Sequence, residues 1–175
     1  MRKILITVLL SFSILSSYGQ RREGLKAGFT GIMETSYLFK QGPYGIDRFK
    51  LNLINGYQFN PYVYLGVGVG YRYYFNSSIP IIPIFGDLRV YVLNNKYSPF
   101  ISFAAGYSYY LLNDFKEVGP MINPKIGLCI KQYEKTSIQF GFEFEAQLAS
   151  FYDRYFHITF EEPSGAIGVF IGITY

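Results

Sequence analysis

Long runs of two-residue alternation, a chain that is 20% aromatic, and a last stretch apolar on one parity predict an all-β protein, an eight-stranded antiparallel up-and-down transmembrane β-barrel. The last stretch sets the argument. From Ala166 to Tyr175, Ile167, Val169, Ile171, Ile173 and Tyr175 share one face, and Gly168, Phe170, Gly172 and Thr174 share the other. An open edge of that kind would be sticky in water, so it needs a partner on both sides. Pairing with the first strand of the same chain closes the sheet.

The 175 residues suffice for one domain, and 18 Tyr, 17 Phe and 18 Gly lean the composition toward strand. Residues 1–19 read differently, with Arg2 and Lys3 before an apolar run from Ile4 to Leu15, then Ser17 and Gly19. This is the pattern of a cleaved secretory signal peptide, and it places the barrel domain at 20–175. The run is too short to span a bilayer as a helix. Loss of Arg2 and Lys3 lowers the formal charge from +4 to +2. With no polybasic run, nucleic acid is not an expected partner. Cys129, the only cysteine, excludes an intramolecular disulfide and a multi-cysteine metal site, and no cofactor is expected.

The first strand, Gly24 to Phe39, sets Phe29, Met33, Tyr37 and Phe39 against Lys26, Thr30, Glu34 and Ser36. After a loop at Gln41 to Gly45, the second, Arg48 to Phe59, opposes Phe49, Leu51, Leu53 and Tyr57 to Arg48, Lys50, Asn52 and Gln58, with Ile54 and Asn55 breaking the pattern. Asn60 and Pro61 turn the chain into the third, Tyr62 to Phe75, with Leu65, Val67 and Val69 against Gly66, Gly68, Gly70 and Arg72. The fourth, Ile82 to Leu93, opposes Ile84, Leu88 and Val90 to Asp87 and Arg89. Pro99 to Leu112 forms the fifth, and a loop follows from Asn113 to Met121. The sixth opposes Ile122, Ile126 and Leu128 to Asn123, Lys125, Cys129 and Lys131. In the seventh, Ile138, Phe140, Phe142, Phe144 and Leu148 face away from Gln139, Glu143, Glu145 and Gln147. The longest loop is expected from Ala149 to Ser164, and connections are expected to alternate long and short.

Alternation also suits a soluble barrel with its apolar parity inward. Here the polar parity is crowded with glycine, including Gly66, Gly68, Gly106, Gly127, Gly141 and Gly168, as a narrow interior requires. The opposite parity carries almost no charge, which suits lipid and not water. Tyr and Phe near the strand ends, among them Tyr37, Phe39, Tyr57, Phe59, Tyr73 and Phe75, fit interfacial girdles.

On these features the mature chain resembles the small outer-membrane β-barrels of Gram-negative bacteria, of the OmpA transmembrane-domain and OmpX type. The resemblance implies an integral outer-membrane monomer in contact with lipid and lipopolysaccharide. It also implies that Ile167, Val169, Ile171, Ile173 and Tyr175 form the signature read by the barrel assembly machinery.

The inward parity carries Lys26, Arg48, Lys50, Arg72, Arg89, Lys125 and Lys131 against Glu34, Asp87, Glu143 and Glu145. Such charges should pair in a narrow lumen and plug it, and neutralising Glu143 with Arg89 should then open it. A narrow ion-conducting porin lined by the same groups is the alternative. His157, the only histidine, has Thr159, Glu161 and Glu162 nearby, so a lipid-modifying hydrolase of the outer membrane is a remote alternative, but no recognisable motif surrounds it. The expected role is non-enzymatic: envelope structure, or contact with a surface partner through loops bearing Tyr44, Phe115, Met121, Phe151, Tyr152, Tyr155 and Phe156.

Overall fold

The computed structural model describes residues 27–42, 45–75, 79–111, 116–131, 136–153 and 158–175, with backbone alone described at 79, 149–153 and 158–163. The expected signal peptide, Lys26, Tyr44, Phe115, Tyr155, Phe156 and His157 lie outside these residues, and Phe151, Tyr152, Thr159, Glu161 and Glu162 are described by backbone alone.

The described residues form eight strands: β1 (Gly28–Gln41), β2 (Arg48–Asn60), β3 (Val63–Tyr74), β4 (Ile79–Tyr91), β5 (Tyr97–Tyr110), β6 (Glu117–Lys131), β7 (Ser137–Asp153) and β8 (Ile158–Thr174). Each pairs antiparallel with the next, and β8 pairs with β1, so the sheet closes. At the seam Gly31 and Tyr175 exchange two backbone hydrogen bonds of 2.9 Å. The last strand thus finds the second partner its apolar edge demands.

Local chemistry places the turns. Asn60 Oδ1 accepts from the Tyr62 and Val63 amides at 2.8 and 3.0 Å, while Pro61 fixes the backbone between them. Gly42 takes φ 74° where β1 ends, a conformation that residues with a Cβ rarely adopt. A bulge between β5 and β6 gathers Ser108, Tyr109, Glu117 and Gly119, and Gly119 takes φ 140° there.

Several expectations about the elements need correction. The stretch from Ala149 to Ser164 is no long loop: β7 and β8 remain paired out to Asp153 and Ile158. The alternation ends there because a ribbon that runs past its neighbouring strands needs ladder bonds but has no barrel wall to form. Met121 lies in β6 facing inward at 2% exposure, because β6 begins at Glu117, before the expected loop ends. Connections do not alternate long and short, since 42–47, 75–78, 111–116 and 154–157 at one end differ little from 61–62, 92–96 and 132–136 at the other. The latter end holds Tyr175 and the start of β1, and is called the terminal end below. Finally, Ile54 and Asn55 keep the register of β2, with Ile54 buried inside and Asn55 exposed outside.

Candidate functional site: the charged lumen

The radial polarity is inverted relative to a protein folded in water. Val67, Phe142 and Ile126 are 70%, 65% and 62% exposed on the outside, whereas Arg48, Lys50 and Arg89 are fully buried inside. Ions enclosed in this way must be paired, because each loses its hydration.

Glu145, projecting from β7, collects three cations. Arg72 approaches it at 3.0 Å, Arg48 at 3.3 Å and Lys50 at 3.7 Å. Lys50 also pairs with Glu143 and donates to Asn123 Oδ1 at 2.9 Å. Lower in the barrel, Glu34 of β1 pairs with Arg89 at 2.8 Å and with Lys125, and Arg89 Nε reaches Asp87 at 2.7 Å. Asn52 joins the two groups, accepting from Arg72 at 2.7 Å and donating to Glu34 at 3.3 Å. Glu143 and Arg89, chosen in the sequence for joint neutralisation, do not pair with each other. They belong to different groups, each with its own partners.

Lys131 stands apart from the other charges, near the terminal end, with Nζ 3.4 Å from the Leu93 carbonyl. Ser36 Oγ, Arg48 Nε and Glu143 Oε1 are buried without hydrogen-bond partners, which marks the least satisfied part of the interior. Among the described residues no group of three His, Cys, Asp or Glu side chains could hold a metal ion.

Apolar groups are buried in the lumen beside these ions. Tyr74, Ile81 and Val118 cluster at the end away from the termini, with Ile46 and Tyr110 packed against them. Ile32, Ile54, Tyr64, Phe85, Phe100 and Phe170 form part of a second cluster. Arg89 and Lys125 lie 5.8 and 5.5 Å from the ring centres of Phe100 and Phe170. The inward glycines make room for these rings: a Cβ added at Gly68 would come within 2.6 Å of Phe85.

Asn123 was seen in the sequence only as a polar residue on the inward parity, and its role follows from Pro124. Between Ile122↔Ala146 and Lys125↔Glu143 the ladder joining β6 to β7 is interrupted, and Pro124 has no N–H to donate. The Asn123 amide donates to Phe144 O instead, at 2.8 Å.

With apolar residues outside and paired ions inside, each strand of 12–17 residues rises roughly 28 Å or more at a tilt of about 45°. Neisserial surface protein A shares this fold, with a TM-score of 0.63 over 85% of this chain and 97% of that one, at 9% identity. The fold is a transmembrane β-barrel. Weaker likenesses, with TM-scores of 0.49 and 0.48, are to the N-terminal barrel domain of Pseudomonas aeruginosa OprF (13% identity, 86% of this chain and 100% of that one) and to the outer membrane enzyme PagL (10% identity, 82% and 97%). No known sequence family matches the chain, and no characterised protein matches it in sequence.

The outward row Ile167, Val169, Ile171, Ile173 and Tyr175 of the transmembrane barrel is 46–58% exposed. The Tyr175 ring covers Gly31, where an added Cβ would meet it at 2.5 Å.

Proposed function

We propose that this chain is a non-enzymatic outer-membrane barrel that presents its β7–β8 ribbon for contact with a surface partner, while paired charges plug its lumen. The observation that carries this reading is the register. β7 stays paired with β6 only as far as Gln147↔Met121, and β8 with β1 only as far as Gly165↔Gln41. Beyond that rim β7 and β8 pair with each other from Leu148↔Pro163 to Asp153↔Ile158, a ribbon of about 20 Å. Among the described residues neither edge of the ribbon has a ladder partner past Leu148. Open edges are templates for an added strand, so the partner is an extended segment of another polypeptide. The outward row of β8 serves as the signal for the assembly machinery.

The test places a photo-crosslinking residue at 151 in intact cells. A crosslink to a distinct protein, lost when 149–162 is replaced by a Ser-Gly turn, is expected; crosslinks to lipid alone would contradict the interaction role. A narrow anion path is the second reading. It is favoured by the excess of buried cations among the described residues, where Arg48, Lys50, Arg72, Arg89, Lys125 and Lys131 face Glu34, Asp87, Glu143 and Glu145.

A further inference from the structure

The outward face is not uniformly convex. Beside Pro124 a groove of about 320 Å³ opens between β4, β5 and β6, walled by Leu88, Val90, Ile101 and Phe103. Its cause is local. Pro124 is paired with Phe103 across the β5–β6 ladder, and its compact ring sits low among long neighbours. The outward side chains of these walls are all hydrocarbon, and the inward-parity residues Ser102 and Lys125 complete the lining. On a transmembrane barrel this surface lies in the acyl region.

The groove has polar groups toward both ends: away from the termini, the exposed Tyr107 hydroxyl donates to the Glu117 carboxylate at 3.2 Å. Toward the terminal end, Val90 and Ile101 give way to Val92 and Pro99, and then to Lys96 and Tyr97. Both are exposed, and Lys96 Nζ stands 5.8 Å from the Tyr97 ring centre. From Ile101 to Tyr97 the strand runs about 13 Å, a depth of about 9 Å at a tilt of about 45°, roughly the upper part of one acyl chain below its headgroup. An amine beside an aromatic ring at the membrane interface suits a single phosphodiester.

We propose that this groove is a phospholipid site, in which one acyl chain lies along Val90, Ile101 and Phe103 toward Pro124 and the phosphate meets Lys96. The occupant is a phospholipid and not a protein segment, because the outward walls are hydrocarbon and the exposed cation Lys96, beside Tyr97, stands where they end.

Native mass spectrometry of the protein extracted from membranes in mild non-ionic detergent tests this. The wild type is expected to retain one phospholipid. Pro124→Phe, which fills the groove and restores a backbone N–H, should lose it, and Lys96→Gln should lower retention several-fold. Ile101→Trp fills the same groove from β5 and should act as Pro124→Phe does. Heat-dependent gel mobility verifies that each variant remains a folded barrel. A wild type that retains no lipid, wild-type retention in both groove-filled variants, or retained lipopolysaccharide or protein in place of phospholipid would overturn the assignment. None of these readouts depends on whether the ribbon finds a surface partner.

Discussion

Glu145 is bound to Arg48, Lys50 and Arg72 at once, so removing its charge takes from Arg48 and Arg72 their carboxylate and leaves Lys50 with Glu143 alone. Breaking a buried ion pair from one side costs about 3–5 kcal/mol. Glu145→Gln should lower stability by about that much in urea unfolding from detergent micelles, read by gel mobility. A cost under about 1 kcal/mol would mean that water already solvates these groups. Asn123 acts on the backbone, and its substitution by Ala should cost about 1–3 kcal/mol by orphaning Phe144 O. In a Pro124→Ala background, where an N–H returns to the ladder, that penalty should shrink; equal penalties in a double-mutant cycle would refute the substitution of side chain for backbone. The charges themselves were legible in the sequence, because a two-residue period assigns a face. Their partners were not, because Glu34 with Lys125 and Lys50 with Glu143 meet across the lumen from strands far apart in the chain.

Strand existence followed from alternation, and strand ends did not. Alternation marks only the part of a strand that separates lipid from lumen, so β7 and β8 run on past Leu148 and Pro163 with no pattern to announce it. At the start of β6, Gly119 and Pro120 read as loop residues, yet the bulge opposite Ser108 and Tyr109 keeps them in the sheet. The inward glycines were legible as a sign of crowding, but the rings they accommodate, such as Phe85 over Gly68, required the register. Gly68→Val should therefore overpack the lumen and cost about 1–3 kcal/mol, whereas the exposed Gly86, where an added Cβ meets only Gly66 O at an ordinary 4.0 Å, should accept Ala within about 0.5 kcal/mol. On the outer face, Phe142→Arg should cost about 2–4 kcal/mol if this position lies near the bilayer midplane. Refolding into lipid vesicles measures it, and a negligible cost would remove Phe142 from the hydrocarbon.

At the scale of the whole molecule, closure was legible because the last strand could not be left as an edge, and inversion was legible because one parity was nearly free of charge. Conduction was not, since it depends on how side chains meet across the lumen. At the far end Tyr74, Ile81 and Val118 pack together, and ion pairs and rings lie in the interior below. On the proposed plug, the outer surface and the β7–β8 ribbon are the places where the molecule meets its surroundings. The most direct test is single-channel conductance of the mature protein in a planar lipid bilayer, with incorporation verified by heat-dependent gel mobility. The account expects a silent wild type, with discrete openings only once Glu34 and Glu145 are both made neutral and the cations they hold repel one another. Reproducible openings of the wild type would contradict the plug and make the inward cations the selectivity residues of a narrow anion path.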